Sequence, residues 1–261
     1  MTCLRYGKMP ASQHEPHPAP KASEQTTIVA RPLHDMFAAV PARYDLLNRV
    51  LTWGFDERWR RQVAHECLDG CPGPVLDLCC GTGDLALHMV KLSEGGMVVG
   101  LDFCEPMLEI AREKALARGL NREVSFVNGN AASLPFPNGH FAAIGISFAF
   151  RNISYHNPLR QQYLTEMARV LTRGGRCVIV ETSQPRNLLL RGAYHLYLKT
   201  VVPGVGGGLS GHREAYRYLA ESARRFFKPE EVSSMLIEAG FQNAQFRLLL
   251  GGVSAIHVAT R

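Results

Sequence analysis

The sequence predicts an α/β fold: a largely parallel sheet connected by helices and closed by an antiparallel pair. Three observations predict it. Apolar runs of strand length alternate with runs of helical period through the middle of the chain, a glycine turn joins the first strand to its helix, and only Gly251-Gly252 separates the last two strands. Alternating β and α segments imply parallel strands with right-handed crossovers, whereas two strands joined by so short a turn must be antiparallel.

In chain order, residues 1–30 are rich in Pro, Ala, Ser, Gln and His without hydrophobic period, and read as a disordered tail. A transit peptide is the other reading, but Glu15 and Glu24 offset Arg5, Lys8 and Lys21. Residues 31–70 read as a helical cap, its pieces broken at Pro41 and Gly54. The remainder, to residue 261, reads as one domain. Strands are expected at Pro74–Cys79, Met97–Asp102, Val124–Val127, Ala142–Phe148 and Arg176–Thr182, with helices at Leu85–Leu92, Pro106–Arg118 and Pro158–Leu171 between them. A helix stops at Gly240, and Gln245–Leu250 and Val253–Thr260 complete a seven-stranded sheet with its last strand antiparallel.

The run VLDLCCGTGDLA, Val75 to Ala86, carries the strongest chemical signal. Gly81 and Gly83 let backbone approach a ligand, and the first free N–H groups of the following helix face it. Asp77 at the end of the strand and Asp102 at the end of the next are both candidate cofactor-binding carboxylates, Asp102 lying about 20 residues beyond the glycines, where a carboxylate holds a ribose diol. Gly81-Thr82-Gly83-Asp84-Leu85-Ala86 also satisfies G-x-G-x-x-A, so the turn alone admits either NAD or S-adenosylmethionine. A dinucleotide fold would need a second βαβ half. The antiparallel finish is instead the pattern of class I, Rossmann-like methyltransferases.

Composition narrows the classes. With 46% hydrophobic and 20% charged residues the chain has an ordinary globular balance, and no apolar run nears the roughly 20 residues that span a bilayer. Seven cysteines, without paired C-x-x-C spacing, suit a reducing cytoplasm and no metal site. Cys67 and Cys71 flank a helix end with no matching ligand pair nearby.

From about Met36 onward, several segments together resemble the ubiquinone and menaquinone biosynthesis C-methyltransferase family, most closely its demethylmenaquinone methyltransferase branch. They are Tyr44-Asp-Leu-Leu-Asn48 with Trp59-Arg-Arg61, DLCCGTGD from Asp77, GLDFCEPML from Gly100 and GNAASLPFP from Gly129. FAFRN from Phe148, ETSQP from Glu181, AYRYLAES from Ala215 and GGVSAIHV from Gly251 follow in order. The resemblance implies S-adenosylmethionine as methyl donor, no metal, and a prenylated hydroquinone as acceptor, 2-demethylmenaquinol foremost and a ubiquinone- or plastoquinone-type benzoquinol as the alternative. It implies that Gly81, Thr82 and Gly83 line the methionine end, that Asp102 takes the ribose, and that Asn130 and Ala131 hold the adenine edge with Ser147 behind them. Ala149 departs from the family, which usually has Gly there.

Methylating a ring carbon requires phenolate character in the hydroquinone, and Arg151 is the expected stabiliser of that charge. A guanidinium keeps its proton, so proton removal is expected through a water positioned by Tyr44, Asp102 or His195. A salt-bridged structural role for Arg151 is the competing expectation. Rivals of other classes are an NAD-dependent oxidoreductase and a lipid-binding assembly factor without turnover.

Residues 183–230 form an insertion holding eight Lys and Arg against three Glu. As a helix, Leu188–Val202 would align Arg191, His195 and Lys199 in one polar stripe on an otherwise apolar surface. Such a helix either packs as a lid or presents its basic edge to anionic lipid. The resulting expectation is a cytoplasmic protein with peripheral, salt-sensitive membrane contact. Nucleic-acid binding is not expected, because the basic residues alternate with aliphatics. A homo-oligomer is compatible with the sequence.

Overall fold

The computed structural model describes residues 41–93 and 95–261, with the side chains of residues 41–44, 209 and 210 excepted. The tail expected at residues 1–30 and the first part of the cap lie outside the described residues.

Two helices, α1 (Pro41–Leu51) and α2 (Phe55–Leu68), precede the sheet and meet at Gly54, whose φ of 76° supplies the left-handed turn between them. The sheet then builds as β1 (Val75–Leu78), α3 (Asp84–Leu92), β2 (Val98–Asp102), α4 (Glu105–Ala117), β3 (Val124–Asn128) and β4 (Phe141–Ser147). It continues through α5 (Phe150–Ser154), α6 (Arg160–Val170) and β5 (Leu171–Thr182). After α7 (Leu188–Ser210), α8 (Arg213–Arg224) and α9 (Pro229–Glu238), strands β6 (Asn243–Leu249) and β7 (Ser254–Thr260) close the chain.

Strand order is β3-β2-β1-β4-β5-β7-β6, with β7 antiparallel to both neighbours and every other pairing parallel. The order reverses between β1 and β4, which makes the carboxyl ends of β1, β2 and β4 the crevice where open α/β sheets take ligands. One sheet face packs α6 and α9 through Leu164, Met167, Val232 and Leu236. The other packs α2 and α3 through Trp59, Val63, Leu85 and Met89. Strands covered on both faces carry near-continuous apolar runs, and β1 is buried at all four residues, Asp77 included.

Three boundaries differ from expectation. Strand β5 begins at Leu171, where α6 passes into it with no intervening loop, and its pairing with β4 shifts register between Phe141 and Ala143. Helix α5 follows β4 after two residues and is too short to show a period in sequence. Helix α7 runs past Pro203 to Ser210. A proline interior removes one helical hydrogen bond, and packing on α8 offsets it: a Cβ on Gly206 would stand 2.3 Å from the Tyr216 ring, so the two helices touch there. A third apolar cluster, with Leu47, Leu198, Val202, Tyr216 and Ala220, ties α1, α7 and α8 into a helical layer.

Candidate active site

The turn after β1 is held from three sides. Gly83 is the N-cap of α3 and has no side chain to satisfy the helix start, so Asp77 Oδ2 accepts the Ala86 N–H at 2.8 Å from the strand beneath. Burial pushes the Asp77 carboxyl up to about 8 against that hydrogen bond. Asp102 clasps the turn laterally: Oδ2 accepts the Gly81 N–H at 2.8 Å and Oδ1 the Cys104 N–H at 2.9 Å. Burial raises its pKa as well, against those same bonds. From the cap, Asp45 Oδ1 accepts the Thr82 hydroxyl at 2.6 Å, while Lys114 Nζ reaches Asp45 Oδ2 at 2.5 Å, Thr82 Oγ1 at 3.0 Å and Asp84 Oδ1 at 2.8 Å. Burial raises the Asp84 pKa, but Lys114 and Arg60 outweigh it and hold the carboxyl below its ordinary value.

The two glycines serve different needs. A Cβ on Gly83 would lie 2.9 Å from Ala111 Cβ and from the Phe126 ring, so that glycine permits the turn to pack on α4 and β3. Gly81, at φ 53°, is required by backbone conformation alone, and a Cβ there would meet nothing within 4 Å. Its outer face is the open one.

Asn130 and Ala131 come to the same edge because the Gly129 N–H donates to the Asp102 carbonyl at 2.9 Å. Asn130 Oδ1 accepts the Ala132 N–H at 2.9 Å, an Asx turn that fixes the side chain and leaves its oxygen a second lone pair. Ser147 ends β4 and accepts Arg60 Nε at 3.3 Å. Burial raises the thiols of Cys79 and Cys80 well above their ordinary values, so neither is a thiolate.

A cavity of about 320 Å³ lies between the ends of β4 and β5 and the helices α1, α2, α7 and α8, and its wall residue Arg60 stands 3.8 Å from Asp84 at the start of α3. Arg151 lines the cavity and is 4% exposed. Its backbone N–H and Nη1 donate to the two oxygens of Glu181 at 2.9 and 3.0 Å, and Nη1 lies 3.3 Å from Thr182 Oγ1. Among the described residues Nε has no hydrogen-bond partner. Arg151 thus forms the buried salt bridge of the structural expectation and is also part of a cavity wall. Across the cavity stands a second buried pair that sequence reading did not single out, Arg60 Nη1 to Asp56 Oδ2 at 2.6 Å. Its signal was available as an i, i+4 pair on α2. Arg60 also lies 5.7 Å from the centroid of the Phe148 ring, and Phe148 sits at φ 58°, an uncommon value for a bulky residue. Tyr194 faces the cavity too; burial raises its hydroxyl pKa, with Arg151 working against the shift.

His195 and Asp102 are not among the cavity-lining residues, and His195 Nε2 sits 2.9 Å from Gln184 Oε1 instead. The backbone of Tyr44 lies in α1, but its side chain is outside the described residues. Ala149 is the N-cap of α5 at φ −112°, which needs no glycine.

The family model that matches the chain covers residues 22–261 and describes the ubiE/COQ5 methyltransferases. The chain belongs to the ubiE/COQ5 methyltransferase family. Within this family it is 46% identical over 226 residues to a protein of Thermus thermophilus named demethylmenaquinone methyltransferase, covering 87% of this chain and all of the relative. A Deinococcus radiodurans protein of the same name is 40% identical over 88% of this chain and 92% of its own length. At 36% stands a Pseudomonas putida protein named ubiquinone/menaquinone biosynthesis C-methyltransferase, with 87% and 88% covered. Among solved structures, an O-methyltransferase family protein from Burkholderia thailandensis superposes with a TM-score of 0.61 at 12% identity, over 84% of this chain and 59% of that one. A SAM-dependent methyltransferase from Aquifex aeolicus gives 0.51 at 19%, over 72% and 81%. The fold of this family member is thus the class I methyltransferase fold, and the NAD reading gives way.

The residues at the turn fit the family's cofactor. Asp102 accepts the backbone N–H groups of Gly81, Cys104 and Phe103, which leaves one of a carboxylate's roughly four lone-pair sites for a ribose hydroxyl, and Gly81 leaves the adjacent backbone open. Among the described residues no group of three or more His, Cys, Asp or Glu is placed to hold a metal.

Proposed function

We propose that this protein methylates a ring carbon of a prenylated hydroquinone, 2-demethylmenaquinol, to give menaquinol. The observation that carries the reading is Arg151, held from behind by Glu181, in the wall of an apolar cavity whose other buried cation, Arg60, stands 3.8 Å from Asp84 at the end of the glycine turn. The naphthoquinol ring is chosen on the names of the relatives at 46% and 40% identity. The Pseudomonas relative, named for both quinones, keeps a benzoquinol as the second candidate.

In this reading Gly81, Thr82 and Gly83 border the methionine portion of S-adenosylmethionine, Asp102 holds the ribose, and Asn130 with Ala131 holds the adenine edge. When bound, S-adenosylmethionine supplies an electrophilic methyl group on a sulfonium. Asp77 supports the turn from below, and Ser147 holds Arg60 at the border between turn and cavity. Trp59 and Phe148 offer flat apolar surface to a ring. Arg151, fixed by Glu181, stabilises negative charge on the hydroquinone oxygen as its proton leaves to water, and so raises electron density at the ortho carbon. The ring proton displaced by the methyl group leaves to water while the product oxygen takes a proton back from water, so one proton is released for each methyl transferred. A fixed cation in a water-poor cavity favours a developing anion far more than in bulk solvent. The prenyl chain puts the working position at a membrane surface.

The test supplies reduced demethylmenaquinone and the matching benzoquinol separately, with labelled S-adenosylmethionine. Label should enter the naphthoquinol, and Arg151→Gln should lower kcat about 10²-fold or more while the protein still binds S-adenosylhomocysteine. Transfer to neither lipid would rule out the reaction.

A further inference from the structure

Helix α7 leaves much of its apolar surface uncovered. Leu198 and Val202 are buried in the helical layer, but Leu188 and Leu189 are 70% and 85% exposed, and Leu196, seven residues beyond Leu189 on the same face, is exposed as well. Of the basic stripe expected on this helix, Arg191 turns into a groove and His195 meets Gln184, while Lys199 is exposed.

The exposed turn continues from the cavity. Trp53 and Leu250 line the cavity yet are 80% and 48% exposed, so they stand at its mouth. Leu190 adjoins Leu250 through Gly251, where a Cβ would come within 2.6 Å of Leu190 Cδ2. On the chain's other side, Arg186 and Arg191 bracket the three leucines and line a groove with Lys228, against Glu230 as its one acid, which pairs with Arg186. Apolar side chains beside a cationic groove match the surface of an anionic bilayer. The cavity itself is of the size that takes one drug-sized ligand, so a long prenyl chain stays outside it.

We propose that the Leu188–Leu190 turn, with Trp53 and Leu250, inserts into a bilayer surface while the Arg186–Arg191–Lys228 groove takes anionic phospholipid headgroups. A quinol then enters ring-first with its tail still in lipid. The part concerning the quinol rests on the activity proposed above; the docking surface stands on its own geometry.

The protein reports on this directly, because it has two tryptophans and Trp59 is buried while Trp53 is not. Full-length protein is mixed at low salt with vesicles of phosphatidylglycerol and phosphatidylcholine, or of phosphatidylcholine alone. Trp53 emission should shift to the blue and be quenched by brominated lipid with the anionic vesicles. Leu188→Asn with Leu189→Asn should lower the vesicle-bound fraction about tenfold or more, and Arg191→Gln about fivefold. The leucine variant should methylate a short-chain, water-soluble quinol at the unmodified rate and a vesicle-embedded quinol more slowly. Unchanged Trp53 emission, or full vesicle binding by the leucine variant, overturns the docking surface. So does a dimer in sedimentation that dissolves in the leucine variant, since a second copy would then cover the turn. Failure to methylate even the soluble quinol would count against the activity alone, and vesicle binding would still decide the docking.

Discussion

Replacing Glu181 by Gln probes the wall of the cavity without changing its shape. Glu181 is 1% exposed and accepts four hydrogen bonds: from the Arg151 N–H at 2.9 Å, Arg151 Nη1 at 3.0 Å, the Thr182 N–H at 2.8 Å and the Thr182 hydroxyl at 3.2 Å. An amide keeps one acceptor oxygen. If that oxygen serves Nη1 and Thr182, the amide nitrogen faces the Arg151 N–H, donor against donor. The variant thus loses a hydrogen bond, leaves a buried N–H unsatisfied, and strips a buried guanidinium of its counter-charge. Breaking one side of a buried ion pair costs about 3–5 kcal/mol, which for a chain of this size lowers Tm by roughly 6–20 °C. Urea unfolding of the cofactor-free protein measures it. Combining Glu181→Gln with Arg151→Met removes the unpaired charge, so the double variant should recover at least about 1.5 kcal/mol relative to the sum of the single changes. Strict additivity, or a single-variant loss under about 0.5 kcal/mol, would refute the view that these residues stabilise the wall as a pair.

Further outcomes follow from buried groups and from the turn. The Asp77 carboxyl rises from 3.8 to about 8 on folding, so the native state holds a proton that the unfolded chain has lost, and stability falls as pH rises through that window. Asp77→Asn should flatten that decline in urea midpoints. Burial lowers His257 from 6.5 to about 4, which has the opposite sign: stability falls as pH drops from 6.5 towards 4, and His257→Phe should blunt that acid limb. Either slope surviving its substitution would show the wrong group had been named. Gly83→Ala should cost roughly 2–4 kcal/mol, combining left-handed strain with overpacking on Ala111 and Phe126. Gly81→Ala should cost only about 1–2 kcal/mol from strain while weakening S-adenosylhomocysteine binding in calorimetry; equal losses of stability would contradict the packing distinction.

The strand set, the glycine turn and the antiparallel finish were legible because buried strands and turn glycines leave local patterns. The five residues of α5 and the loopless entry into β5 were not, since neither leaves a period or a break. Pro203 misled in the other direction. It marks a helix end by local rules, and only the approach of Gly206 to Tyr216, ten residues on, overrides it. At the site, spacing pointed to Asp102 and the resemblance to Arg151 as candidates, but neither showed what holds them. Glu181 lies 30 residues from Arg151, and the Asp56–Arg60 pair looks in sequence like any solvated helical ion pair until both partners prove buried. Neighbours brought together by topology have no spacing to read.

The strand-borne cap of α3 has a consequence for folding fidelity. Because Asp77 closes the helix start from within a fully buried strand, a one-residue slip of β1 would put Leu76 or Leu78 under the turn and strand a carboxylate among apolar neighbours. The slip would forfeit the sheet register and the helix cap in the same step. Misregistered chains are therefore penalised twice, and the turn assembles only on a correctly aligned strand.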